Sequence, residues 1–166
     1  MKFFGHDAGS DGKFAIGFER GEKALLFRVL SLYPLVPTSY HRLTKDKKLP
    51  RRDENQQLLD DALKYQREQN RREILALINT QGRFAGAEGA EQVSFTRGDL
   101  EWLLQVMNDV RVGCWIALGS PGYEPKKINP KDRQAVEHAV SMEIAGGFEM
   151  FFLGVINGDV PPESQA

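Results

Sequence analysis

A chain of 166 residues with 41% hydrophobic and 27% charged side chains is long enough for one domain with a real core. A formal net charge of -1 excludes bulk attraction to nucleic acid or acidic membranes, and one cysteine excludes an internal disulfide and favours a reducing compartment. The opening M-K-F-F-G-H-D-A-G-S-D-G turns polar at once, unlike a secretory signal. The longest apolar run, Met150 to Ile156, falls short of the roughly 20 residues of a membrane span, so a cytoplasmic soluble protein with no membrane partner is expected.

Phe14, Ile16 and Phe18 alternate with small residues, the period of a strand with one buried face. Lys2, Phe3 and Phe4 supply a partner strand, and Gly9-Ser10-Asp11-Gly12 the turn of a hairpin between them. Asp7 and Asp11-Gly12 resemble the opening of a calcium loop. However, Gly9 and Phe18 occupy positions that need ligands, so no metal is expected.

From Glu19 the period becomes helical through Leu25, Leu26, Val29, Leu30 and Tyr33, until Pro34 and Pro37 close the segment. The next stretch carries Arg42, Lys45, Lys47, Lys48, Arg51 and Arg52 against Asp46 alone. It reads as a solvated linker, with contact to phosphate backbones or an acidic partner as the alternative; no aromatic side chain interleaves for base stacking. Asp53 and Gln56 then mark a helix start. Leu58, Leu59, Ala62 and Leu63 open that helix, a polar middle from Gln66 to Glu73 follows, and Ile74, Leu75, Leu77 and Ile78 close it. One long helix over solvent or two helices with a kink fit equally. Residues 82 to 90 are small and flexible and read as connector.

Thr96 and Asp99 form a capping box with Asp in place of Glu, and Phe95 and Leu100 occupy the staple positions around it. At about 100° per residue, Leu100, Leu103, Leu104, Met107, Val110, Cys114 and Leu118 share one face. Arg111 falls within that stripe. A guanidinium keeps its proton, so it must either snorkel to water or meet a carboxylate.

For the last helix Asn129 is the expected cap, with Pro130 in the first position and Asp132 in the third. Val136, Val140, Ile144, Phe148, Phe151 and Val155 form its expected core face, although apolar residues surround its end on all sides. Glu137 and Glu143 flank that face, and Arg111 with Glu143 is the expected internal pair, Glu137 the other candidate partner. Together with Asn108 and Asp109 these residues form a candidate ion pair or small-anion pocket. Residues 161 to 166 read as a disordered tail.

No nucleophile-base pair is evident. Cys114 lies in the apolar stripe, His6, His41 and His138 are scattered, and Trp102 and Trp115 read as core anchors. No catalytic residue and no cofactor is assigned.

The run M-N-D-V-R-V-G, Met107 to Gly113, with Phe95-Thr96 and Phe18-Glu19-Arg20, resembles a bacterial family, the domain-of-unknown-function family twenty-seventeen. Its members carry an Asn-Asp-x-Arg element in a late helix, matched here by Asn108, Asp109 and Arg111. The resemblance extends over about residues 14 to 155, with the central helix as its specific part. The last helix departs from it at Gly146-Gly147 and in its Phe-rich close. The resemblance implies no established activity. Some members are encoded beside the adaptor of the Clp protease, which implies proteolysis-linked regulation.

The expectation is therefore a mainly α protein: a single domain over residues 1–160, with an N-terminal two-stranded β-hairpin on a bundle of about four helices. The leading functional expectation is a non-catalytic protein-interaction or regulatory, adaptor-like module. Its partner would be a protein, including a second copy through the C-terminal helix. A nucleic-acid-binding regulator using residues 42–52, and a small-anion binder or enzyme around Arg111, are the alternatives.

Overall fold

The computed structural model describes residues 1–6, 12–42, 50–79, 90–125 and 128–163. Strand β1 (Lys2–His6) and strand β2 (Phe14–Glu19) form the expected hairpin, and β2 runs directly into helix α1 (Arg20–Ser31). Helix α2 (Arg52–Asn79), strand β3 (Ala90–Phe95), helix α3 (Arg97–Ala117) and helix α4 (Arg133–Asn157) follow, with one short 3-10 turn at Thr38–Tyr40. The protein is a mainly helical bundle of four α-helices on an N-terminal antiparallel sheet.

The hairpin has a third strand beside it. β3 pairs antiparallel with β2, setting Ile16 opposite Val93 and Phe14 opposite Phe95, so the sheet order is β1-β2-β3. Phe14, Ile16 and Phe18 therefore share a face with Val93 and Phe95, and all five are buried. That face meets the helices: Phe95 lies between Phe18 and Phe152, with ring centroids 6.3 and 6.5 Å away.

α3 and α4 form an antiparallel pair with the most extensive helix contact in the molecule. The α3 capping box forms as expected, Asp99 N–H donating to Thr96 Oγ1 at 3.0 Å and Thr96 N–H to Asp99 Oδ2 at 2.9 Å. The buried face of α3 differs from the expected stripe: Val106 and Gly113 are buried, while Leu104 and Leu118 are only half-buried. The core side is thus rotated toward Val106 and Gly113, which leaves Arg111 at the opposite edge.

α4 departs further from expectation. It begins at Arg133, capped by Asp132 Oδ1, which accepts the Ala135 N–H at 3.0 Å; Asn129 instead closes a turn by accepting from Lys131 N–H. Its buried residues are Ser141, Ala145, Phe148, Glu149, Phe152 and Val155, and Val140 is exposed. Taken whole, α4 is long and apolar enough to cross a membrane by length and composition alone. No uninterrupted run shows this in the sequence, because Glu143 and Glu149 break the apolar stretch while leaving the helix apolar on average. Here Phe148 and Phe152 turn into the core, their rings stacked 6.0 Å apart.

α2 is one continuous helix. Only Asn70, Ile74 and Leu77 of it are buried, so its C-terminal half anchors it and Leu58 and Tyr65 in the first half stand exposed. Within the described part of the expected tail, Glu163 N–H donates to the Phe3 carbonyl at 2.7 Å and its carboxylate meets Lys2 Nζ at 2.8 Å.

Candidate functional site

Two clusters of side chains on α3 account for the Asn-Asp-x-Arg element. The first faces inward. Asp109 Oδ1 accepts the backbone N–H groups of Leu35 at 2.7 Å and Val36 at 3.3 Å, fixing the segment that follows α1. One turn on, Gly113 lies so close to Leu35 that a Cβ there would fall 2.5 Å from the Leu35 Cβ. Arg67 Nη2 holds the same segment from α2 by donating to the Val36 carbonyl at 2.6 Å. Beside it, Asn70 donates to Tyr33 Oη at 2.9 Å and accepts from Trp102 Nε1 at 3.2 Å. Burial of the Tyr33 hydroxyl pushes its pKa up, so it stays protonated. This cluster positions the 33–36 segment, and Asp109 acts as a structural clamp.

The second cluster faces outward. Arg111 does not pair with Glu143. Its Nη1–H donates to Glu149 Oε2 at 2.6 Å, and the two side chains have unequal surroundings: Arg111 is 53% exposed, Glu149 only 9%. The Arg111 stem lies over Gly146, where a Cβ would sit in ordinary contact with the side chain, 3.9 Å from Nε. The other carboxylate oxygen, Glu149 Oε1, is buried without a hydrogen-bond partner. Glu143 remains exposed on the same outer side, with no ion pair among the described residues. Glu137 pairs instead with Arg28 of α1 at 3.1 Å, both side chains about half exposed.

Arg111, Asn108 and Glu143 nevertheless share one hollow. Together with Val112 and Trp115 of α3 and Met142, Gly146, Gly147 and Met150 of α4 they line an open groove of about 710 Å³ between the two helices. The expected pocket residues Arg111, Asn108 and Glu143 are therefore brought together, while Glu137 and Asp109 point elsewhere. The groove is an apolar trough with three polar groups: Met150 is 74% exposed and Trp115 is 39% exposed, where a core anchor was expected. Gly147 leaves open space on the helix surface, with nothing within 4 Å of a Cβ placed there.

Cys114 is buried, and burial raises its thiol to about 11, so it packs as a small apolar group. Of the basic segment, Lys45, Lys47 and Lys48 lie outside the described residues; Arg42 is exposed, Arg52 is half-buried, and Arg51 pairs with Glu54 at 2.7 Å. Asp7 and Asp11 also lie outside the described residues, and among the described residues no three His, Cys, Asp or Glu side chains converge to hold a metal.

The residue that sequence reasoning passed over is Glu149. It sits within G-F-E-M-F-F, a carboxylate flanked by aromatic and methionine side chains, and that isolation was the available signal of a buried acid in need of a cation.

No family model, curated protein or solved structure matches this chain. What defines it is its architecture: a mainly helical bundle with an N-terminal antiparallel sheet, carrying a methionine- and tryptophan-lined groove on the outer side of its α3–α4 pair.

Proposed function

We propose that this protein is a non-catalytic interaction module of the regulatory or adaptor kind, and that the groove between α3 and α4 receives a helix from a protein partner. The observation that carries this reading is the exposure of Met150 and Trp115 beside the open backbone of Gly147. Large apolar side chains around a trough are the usual seat of an amphipathic helix, and methionine and tryptophan are the residue types such surfaces use. Asn108, Arg111 and Glu143 supply polar groups at the margin that set register, which fits recognition better than chemistry. The family resemblance, with its implied link to proteolysis, is compatible with such a role.

Photo-crosslinking tests the reading. A cysteine replacing Gly147, carrying a photoreactive label, is compared in native lysate with the same label on a cysteine replacing Asp61 of α2. Protein adducts specific to position 147 and abolished by Met150→Arg are expected. Equal adduct formation at both positions, or none at 147, would refute it.

A further inference from the structure

We infer that the occupant of the α3–α4 groove is a second copy of this chain, joined through the same face on both subunits; this rests on the groove being a docking surface. A two-fold interface requires a surface complementary to itself. The groove carries one cation, Arg111, and one acid, Glu143, on different helices and surrounded by apolar side chains. Two such points exchange under a two-fold axis that lies in the plane of the face and crosses the line between them at right angles at its midpoint. Arg111 of each copy then meets Glu143 of the other, with Met150 and Trp115 against the opposing trough. Each Arg111 is then shared between the buried Glu149 of its own subunit and Glu143 of the other.

The pieces are available for that exchange. Only Nη1 of Arg111 is committed to Glu149, which leaves further guanidinium donors in the half of the side chain that is exposed. Glu143 is exposed and makes no ion pair among the described residues. Gly147 removes the side chain that would hold two α4 helices apart. The result is a four-helix contact made of two α3–α4 pairs, the arrangement in which an apolar, half-covered helix becomes fully used.

Sedimentation velocity of the intact chain over a range of concentrations, without detergent, is the test. The wild type is expected to show a monomer–dimer equilibrium. Glu143→Arg sets two cations against each other at each contact and weakens the dimer at least about tenfold, with unchanged circular dichroism. Arg111→Glu does the same with two acids, and mixing the two variants restores association because each contact is again Arg with Glu. Should Arg111→Glu fail to fold, Met150→Arg, which leaves the internal pair intact, supplies the second arm and is expected to abolish the dimer.

A monomer at every concentration overturns the inference, as does a dimer indifferent to both Glu143→Arg and Met150→Arg. A monomer that still gives groove-specific adducts from position 147 overturns only the second-copy assignment and leaves the docking groove standing. Flotation of the wild type, but not Met150→Arg, with phosphatidylcholine–phosphatidylglycerol vesicles would assign the face to a membrane and overturn the inference.

Discussion

Arg111 reaches across Gly146 to place a guanidinium nitrogen 2.6 Å from the carboxylate of Glu149. The pair is lopsided, since the acid is almost wholly buried and the base half exposed. Removing the base alone strands a buried charge, whereas removing both leaves an apolar contact. Arg111→Met is therefore expected to cost about 1–3 kcal/mol in urea unfolding, below the usual range for a fully buried pair because water reaches the arginine. Arg111→Met with Glu149→Leu recovers most of that loss. Arg111 and Glu143, by contrast, are expected to act additively within about 0.5 kcal/mol in the monomer. Strong coupling to Glu143 in dilute solution would contradict the assignment.

Asp109 accepts two backbone N–H groups from the 35–36 segment, so Asp109→Ala leaves both donors without their acceptor and is expected to cost about 1–3 kcal/mol. Asp109→Asn keeps a carbonyl oxygen and costs less. Gly113→Ala forces α3 away from Leu35 and is expected to destabilise by about 1–3 kcal/mol through overpacking. Denaturant midpoints of the three variants check this; a neutral Gly113→Ala would show that the contact is loose.

Asn70 joins Tyr33 to Trp102. Asn70→Leu removes the acceptor of the indole N–H and the donor to the phenol, at an expected cost of about 1–3 kcal/mol. A shift in tryptophan emission accompanies it, because the Trp102 ring loses its polar partner. Unchanged stability and unchanged emission would place the network outside the core's support.

The thiol of Cys114 gives a pH dependence of known sign. Burial raises it from its ordinary 9.0 to about 11 in the folded chain. The contribution of the protonated thiol is complete below pH 9 and is lost as pH rises from 9 through 11, where the unfolded chain ionises first. The raised Tyr33 hydroxyl acts in the same direction. Stability measured by urea at pH 8, 9 and 10 should fall across the series, and Cys114→Ala should flatten part of the fall. Cys114 should also resist thiol reagents at pH 8 until the chain unfolds.

Much of the fold was legible where a residue type leaves one choice. Thr96 and Asp99 announce the start of α3, and Phe14, Ile16 and Phe18 announce β2, although Ala15 and Gly17 on its other face are buried as well. β3 was not legible because A-E-Q-V-S-F offers only Val93 and Phe95 as an alternating pair, too short a pattern without knowing that β2 has a free edge. α4 has apolar residues on every side, so periodicity could not fix which side turns inward, and two good caps three residues apart, Asn129 and Asp132, left its start ambiguous. The site inherited that uncertainty. Arg111 was visible as an anomaly in an apolar stripe, but whether Glu143 or Glu149 meets it depends on the rotation of α4, which only tertiary packing sets.

Double electron–electron resonance between copies spin-labelled on Asn157→Cys, with Cys114 replaced by Ala, tests the central claim most directly. Labels at the exposed end of α4 report the approach of a second molecule without occupying the groove. A defined distance between labels that disappears in Met150→Arg is the predicted result. A featureless decay in the wild type at the highest attainable concentration would contradict pairing through this face.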